Sequence, residues 1–258
     1  MKLHFYKYQG TGNDFVILDN RDGHFDASRT DIVKQVCDRR FGIGADGFML
    51  LENTPGYDFK MVYYNADGNE STMCGNGGRC LVAFAHKMGV FENETTFLAI
   101  DGGHEASIKD GIVYLKMIDV NEVEQNEQFS WLNTGSPHYV KFVNNINEFP
   151  VFEEGKAVRY NERFTAQGTN VNFLEKIGEN EIFVRTYERG VEDETYSCGT
   201  GVTAAAIVAS YSGFNSPVKI KTLGGDLSVG FQAKANGGFE NVYLNGPAVL
   251  VFEGNIEV

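Results

Sequence analysis

The sequence predicts an α/β (α+β) chain of two pseudo-symmetric domains, each a curved, mostly antiparallel sheet around a central helix. Three observations carry that expectation. A Cys-Gly-x-Gly turn occurs twice, at Cys74 and at Cys198. Each copy follows a strand-like run and precedes a helix-like one. The remainder is mostly short runs of β-branched and aromatic residues punctuated by glycine, within 258 residues, enough for two domains that each bury a core.

The duplication holds at one offset. A shift of 124 residues carries Cys74 to Cys198, Gly75 to Gly199, Gly77 to Gly201, Tyr63 to Tyr187, Glu70 to Glu194 and Ser71 to Thr195. The same shift carries Val16 to Val140, Gly44 to Gly168 and Leu50 to Leu174. Glycines and leucines coincide often by chance, whereas Cys-Gly-x-Gly with matched Tyr and Glu upstream does not. The expected domains are 1–118 and 119–246, with the Asn- and Glu-rich segment Asp119 to Phe129 as linker. A last strand, Ala248 to Glu253 within 247–258, lies beyond the copy and is expected to pack back on the first domain.

In chain order, Ile32, Val33, Val36 and Cys37 share one face of a helix from Asp31 to Arg39. Phe59 to Tyr64 reads as a strand, and Leu81, Phe84, Ala85 and Met88 form the buried stripe of a helix from Arg79 to Met88. Ser107 to Val113 reads as a hairpin whose Asp110-Gly111 turn is type I′. Glu181 to Tyr187 repeats the strand, and Val202 to Tyr211 repeats the helix, uncharged all round and so buried on every side.

Composition narrows the partners. A formal net charge of −13, with no local Lys/Arg cluster, repels phosphate backbones and argues against nucleic acid. The first residues, Met1 to Tyr8, lack the unbroken apolar run of a secretory signal. The most apolar stretch, Val202 to Tyr211, is about half of the ~20 residues a membrane helix needs. No membrane association and a cytoplasmic location are expected. Four cysteines in a chain of this size make a disulfide framework improbable, so reduced thiols are expected.

Two of those thiols carry the chemistry. Inverting a carbon that bears an amine, a carboxylate and a hydrogen requires a proton to leave one face and another to arrive at the opposite face. A pseudo-symmetric pair of domains, each with one Cys at a helix N-terminus, supplies a donor and an acceptor. A helix N-terminus favours the thiolate over a thiol whose ordinary pKa is about 8.5, and repulsion between two thiolates keeps one partner protonated. The N–H groups of Gly75, Asn76, Gly199 and Thr200 suit an α-carboxylate, and glycine lets the backbone approach it closely. Cys37, on an apolar helix face, and Cys80, which maps to Ala204 in the second half, read as structural thiols.

A wider set of motifs accompanies the cysteines: Gly10-Thr-Gly-Asn-Asp-Phe15, Phe41-Gly-Ile-Gly-Ala-Asp46, Asn65-Ala-Asp-Gly68, Met73-Cys-Gly-Asn-Gly77, Gly135-Ser-Pro-His138, Tyr187-Glu-Arg-Gly190 and Ser197-Cys-Gly-Thr-Gly201. In order and spacing this set resembles the diaminopimelate epimerases along essentially the whole chain. The resemblance implies that family's fold and the interconversion of LL- and meso-diaminopimelate in lysine and cell-wall precursor synthesis, with no pyridoxal phosphate, no metal and no other cofactor. It implies that Asn13, Asn65 and Asn170 hold polar ends of the substrate, that Glu188 and Arg189 meet its distal amine and carboxylate, and that His138 and Glu188 tune the thiols. In the LL direction Cys74 gives the proton and Cys198 takes it. It also implies a homodimer with Phe252 at the interface.

Two positions depart from the family pattern. Ser136 stands where many members have Asn, and Gly47 where some have Gln. Proline racemases and hydroxyproline epimerases share the two-cysteine mechanism and are the alternative. The charged Glu188-Arg189 pair favours a substrate with a second zwitterionic end. A thiol redox protein would place its cysteines as Cys-x-x-Cys, which Cys74 and Cys80 do not match. The Gly199-Thr-Gly201-Val-Thr-Ala204 run lacks the surrounding parallel βαβ pattern of a dinucleotide site. A pure binding module leaves two matched thiols without a purpose.

Overall fold

Apolar residues at alternate positions open the chain as a hairpin of β1 (Lys2–Gly10) and β2 (Asn13–Asp19). Its two turn residues, Thr11 and Gly12, have φ of 50° and 86°, the left-handed backbone a type I′ turn requires. There follow α1 (Thr30–Cys37), β3 (Gly47–Glu52), β4 (Phe59–Asn65), α2 (Gly75–Lys87), β5 (Glu94–Ala99), β6 (Gly102–Lys109) and β7 (Ile112–Lys116). The hairpin of β6 and β7 turns at Asp110 and Gly111, both at positive φ.

Next come β8 (Val123–Gln125), β9 (Ser130–Asn133), β10 (Pro137–Phe142), α3 (Val151–Arg159), β11 (Asn170–Gly178), β12 (Glu181–Glu188), β13 (Asp193–Thr195), α4 (Gly199–Ser210), β14 (Val218–Thr222), β15 (Gly225–Ala233) and β16 (Phe239–Pro247). A last strand, β17 (Val249–Glu257), runs antiparallel to β1. The computed structural model describes residues 1–235 and 237–258. They gather into two units, Met1–Leu115 with Pro247–Val258, and Lys116–Gly246.

Each unit is a mixed sheet, antiparallel in most pairings. In the first, β2 with β3 and β4 with β5 are parallel, while β1 with β2, β3 with β4, β5 with β6 and β6 with β7 are antiparallel. In the second, β10 with β11 and β12 with β14 are parallel, while β9 with β10, β11 with β12, β14 with β15 and β15 with β16 are antiparallel. Among the described residues no helix is long and apolar enough to cross a membrane.

Strands β2, β3 and β4 are buried on both faces because each carries two apolar sets. Val16, Leu18, Phe48, Leu50, Val62 and Tyr64 join Ile32, Val33, Val36 and Cys37 of α1 in one core. The intervening Phe15, Ile17, Met49, Leu51, Met61 and Tyr63 are buried on the opposite face, where α2 packs on β1, β2 and β3. In the second unit, Val171, Phe173 and Tyr187 share a core with Val151 of α3, and α4 packs against β9, β10, β11, β12, β14 and β15. From Gly201 to Ala209 every residue of α4 is buried, which accounts for its lack of charge.

Three local differences from the sequence reading have physical causes. Both central helices begin earlier than the glycine-rich turns suggest, immediately after each cysteine. Glycine disfavours helix in isolation, but here packing favours it: a Cβ on Gly78 would crowd Met73 Sδ at 2.9 Å, and one on Gly201 would collide with Asn172 Oδ1 at 2.3 Å. Helix α3 was not anticipated, because Gly155 breaks its apolar pattern; that glycine exists because a Cβ there would stand 2.3 Å from Tyr187 Cβ. The Asn- and Glu-rich 119–129 segment is not bare linker. Val120 bridges to Phe239, and β8 pairs with β9, held by a bidentate contact of Arg163 with Glu124.

The Gly155→Ala variant is expected to lose roughly 1–3 kcal/mol, the usual range for overpacking a close contact, measured as a fall in urea midpoint at unchanged slope. Acid lability should follow from His138 on β10, which is fully buried. Burial, aided by the charge of Arg189, pulls its pKa from 6.5 down to about 3. Below 6.5 the unfolded ring takes a proton that the folded ring refuses, so stability should fall as pH drops from about 6.5 toward 3. Asp14 acts lower: burial pushes its carboxyl up, but hydrogen bonds from Arg39 and Lys7 outweigh this and hold it well below the usual carboxylate range. Its contribution disappears only below its ordinary 3.8. Urea midpoints that stay flat between pH 6 and about 4.5 would contradict the assignment to His138.

Candidate active site

Cys74 is the N-cap of α2, with extended backbone at φ −106° and ψ 148°, and its Sγ accepts a hydrogen bond from Gly77 N at 3.1 Å. The sulfur thus occupies the place that a Ser or Asp oxygen takes in an ordinary cap. Gly77 keeps this cap open: a Cβ would lie 3.0 Å from that sulfur and press it out of place. Gly75 and Asn76 complete the turn, both buried.

Around this turn the first unit brings together residues of α2, β1, β2, β4 and the connection between α1 and β3. Asn76 Nδ2 lies 3.5 Å from Asn13 Oδ1, and Asn13 Nδ2 donates to Asp46 Oδ2 at 2.7 Å. Asp46 and Asp14 are tied together by Arg39, and Asp14 also takes Lys7 at 2.6 Å. The Asn13 amide is therefore oriented at both ends before any ligand arrives. Asn65 closes β4 opposite Gly47 and accepts Gly68 N in its turn. Gly47 has a local reason: a Cβ there would meet the Tyr63 ring at 2.5 Å and Tyr64 O at 2.8 Å.

Sequence reasoning treated Arg79 only as the start of a helix. It is fully buried in α2, with Nη1 donating to Gly75 O and Nη2 to Thr11 Oγ1, each at 3.2 Å. Thr11 reaches the same cluster, its hydroxyl 3.5 Å from Asn76 Oδ1. Arg79 thereby ties the β1 to β2 turn to the first turn of α2. Burial lowers its pKa to about 10, against the opposing influence of Cys80 and Cys74, so it remains a cation at neutral pH. The signal in sequence was a lone charge in the otherwise uncharged run from Gly75 to Ala85, on the face opposite the Leu81, Phe84, Ala85 and Met88 stripe. Cys80 and Cys37 are buried thiols whose pKa burial drives up, Cys37 to about 12, which suits structural roles.

Cys198 is the N-cap of α4, at φ −114° and ψ 112°, with its Sγ 3.5 Å from Thr200 Oγ1. Thr134 Oγ1 fixes the turn by donating to Thr200 O at 2.8 Å, and Thr203 Oγ1 donates back to Gly199 O at 2.9 Å. Asn170 opens β11: its Nδ2 donates to Ser136 Oγ at 2.9 Å, and its Oδ1 accepts Arg189 N at 2.8 Å. Ser136 is thus a partner of Asn170. Glu188 ends β12 and accepts Thr195 Oγ1 at 3.1 Å, while the Arg189 guanidinium donates to Gln167 O at 2.9 Å. His138 sits on β10 with Nδ1 3.1 Å from Asn172 Nδ2.

Phe252 lies apart from either turn, on β17, half-exposed and edge-on to Phe5 at 5.8 Å. Each unit thus presents a cysteine at a helix N-terminus, glycine-rich backbone beside it, and amide and charged side chains at the ends of the flanking strands. Such an arrangement suits anion binding and proton transfer at sulfur.

The family model for diaminopimelate epimerase matches residues 5–116 and 130–251. The chain is 52% identical over 259 residues to the diaminopimelate epimerase of Flavobacterium psychrophilum, covering 99% of this chain and 100% of the relative. It is 43% identical to that of Chlorobaculum tepidum, covering 96% and 98%. Among solved structures, a Bacillus anthracis phenazine biosynthesis protein of the PhzF family superposes with a TM-score of 0.78 at 13% identity, over all of both chains. A hydroxyproline epimerase from Agrobacterium vitis gives 0.67 at 13% identity, covering 99% of this chain and 92% of that one. At such identities those two likenesses speak for the α/β fold alone. With the family model matched in both halves and full-length relatives far above chance identity, the chain belongs to the diaminopimelate epimerase family.

Proposed function

We propose that this enzyme interconverts LL- and meso-diaminopimelate by two-base catalysis, one of Cys74 and Cys198 taking the α-proton as a thiolate while the other, as a thiol, delivers its own proton to the opposite face, without a cofactor, in lysine and peptidoglycan precursor synthesis. The observation that carries the reading is that each cysteine stands, with extended backbone, at the N-cap of a buried helix and is followed immediately by glycine. The dipole of each helix favours a thiolate at its cap. In the LL direction Cys74 protonates and Cys198 deprotonates, and the reverse direction exchanges the roles.

Gly75-Asn76 and Gly199-Thr200 are assigned to the reacting α-carboxylate, where N–H donors also stabilise the charge that develops as the proton leaves. Asn13, Asn65 and Asn170 hold polar ends of the substrate, with Glu188 and Arg189 at the distal amine and carboxylate. His138 and Glu188 act on the thiols. The two halves are read as one ancestral domain duplicated at the 124-residue offset, 1–118 and 119–246. A homodimer through β17 is supported by the exposure of Val249, Val251 and Phe252 on that strand. The proline and hydroxyproline alternative draws only on a distant likeness of fold.

Proton NMR of the reduced protein with LL-diaminopimelate in deuterium oxide is expected to show loss of the α-proton signal and growth of the meso isomer with nothing else added. No exchange with this substrate, together with turnover of proline or hydroxyproline, would reject the substrate assignment. Cys74→Ser and Cys198→Ser are each expected to lower kcat by at least about 10²-fold, the lower range for a positioned acid or base, with circular dichroism and urea midpoint close to those of the parent. Full activity in either variant would remove that cysteine from the mechanism.

A further inference from the structure

His138, Asn172 and Thr186 form a buried polar chain in the second unit, at most 3% exposed. Its protons can be placed from its partners. The carbonyl of Tyr139 can only accept, so the end of the Asn172 amide that lies 2.9 Å from it must be the NH2 group. The same NH2 lies 3.1 Å from His138 Nδ1. A donor there meets a lone pair, so Nδ1 carries no proton and the neutral ring holds its proton on Nε2. Thr186 Oγ1 closes the chain by donating to Asn172 Oδ1 at 2.9 Å.

The chain abuts the second cysteine turn. The methyl that Gly201 lacks would stand 2.3 Å from Asn172 Oδ1 and 3.3 Å from Cys198 Sγ. His138 Nε2, by contrast, is buried without a hydrogen-bond partner among the described residues. A buried donor left unpaired costs about 1–3 kcal/mol, a cost that an incoming acceptor removes. The 124-residue shift maps His138, Asn172 and Thr186 onto Asp14, Phe48 and Val62. The first half therefore has no equivalent chain.

We infer that Asn172 is a positioning residue that fixes His138 as the Nε2–H tautomer, making the imidazole a neutral hydrogen-bond donor to an anionic acceptor beside the Cys198 turn. The acceptor is a ligand carboxylate, because no sulfur of the described residues lies within hydrogen-bond reach of Nε2. A ring with its proton on Nε2 and its Nδ1 lone pair occupied by Asn172 cannot take a proton from a thiol. Burial, with the charge of Arg189, keeps the ring neutral at physiological pH. This deepens the proposed epimerase reading, and only its kinetic part rests on that reading.

The test is nitrogen-15 NMR of the histidine-labelled, reduced, ligand-free protein at neutral pH, with Asn172→Asp and Thr186→Val beside the parent. The parent should show the proton on Nε2 and an unprotonated Nδ1. Thr186→Val should keep that pattern, because Tyr139 still orients the amide. Asn172→Asp, whose carboxylate accepts at Nδ1, should move the proton to Nδ1 and lower kcat roughly 10- to 100-fold with little change in KM, the range known for losing the partner that orients a metal-bound histidine. A purely structural Asn172 would lower the urea midpoint and leave the tautomer unchanged.

A proton on Nδ1, or on both nitrogens, in the parent would overturn the inference, as would parental kcat in an Asn172→Asp protein whose tautomer has switched. A difference in the Nε2 shift between the parent and ligand-free Cys198→Ala would make sulfur the acceptor and overturn the carboxylate assignment. A shift appearing only when diaminopimelate is added to Cys198→Ala would identify the carboxylate, and no response to either would reject the donor role. Should the tautomer hold while diaminopimelate is not turned over, the substrate assignment fails and the tautomer assignment stands.

Discussion

Close contact at the first turns of α2 and α4 is the constraint on which most of the structure depends. Each turn follows a cysteine cap and is tight at the third residue after it: at Gly77 a methyl would touch the Cys74 sulfur, and at Gly201 it would collide with Asn172. Such turns could not stand alone, since glycine weakens a helix and exposes its N–H groups. They persist because the helices behind them are buried almost entirely against sheet. The apolar burial that stabilises each unit therefore also fixes the backbone donors and the thiol of its site.

Around that shared plan the two halves use opposite polar chemistry. The first surrounds its cysteine turn with charge: Arg79 is buried within the helix, while Lys7, Arg39, Asp14 and Asp46 form the network that orients Asn13. The second has Glu188 and Arg189 at its strand end, but behind its turn it places a chain of neutral groups, His138, Asn172 and Thr186, joined by hydrogen bonds without an ion pair between them. An acid and a base of identical side-chain type must differ through their surroundings. Unequal surroundings for two cysteines in like positions are what the proposed proton transfer requires.

The same packing explains departures from common family residues. Gly47 is set by the Tyr63 ring against it, and Ser136 is absorbed as a partner of Asn170. Both positions act on the scaffold of the site through neighbours in the sheet. Family membership rests on full-length relatives, whereas the distant structures share only the architecture.

What the sequence determined by itself was local and repetitive. The Cys-Gly-x-Gly turns, the strand before each, the apolar faces of α1, α2 and α4, and the Asp110-Gly111 hairpin are encoded within a few residues, so propensity and periodicity expose them. Helix α3 was not legible, because Gly155 is explained only by Tyr187, 32 positions away in sequence. The strand within 119–129 was hidden for a similar reason: its polar residues are held by pairing with β9 and by Arg163. Arg79 reads as one charge in an otherwise uncharged run until the fold brings Thr11 to it, and Asn172 reads as one more strand residue until Tyr139 and His138 meet its amide. Tertiary structure alone decided these, because a buried polar group takes its meaning from the partners that satisfy it, and those partners come from distant parts of the chain.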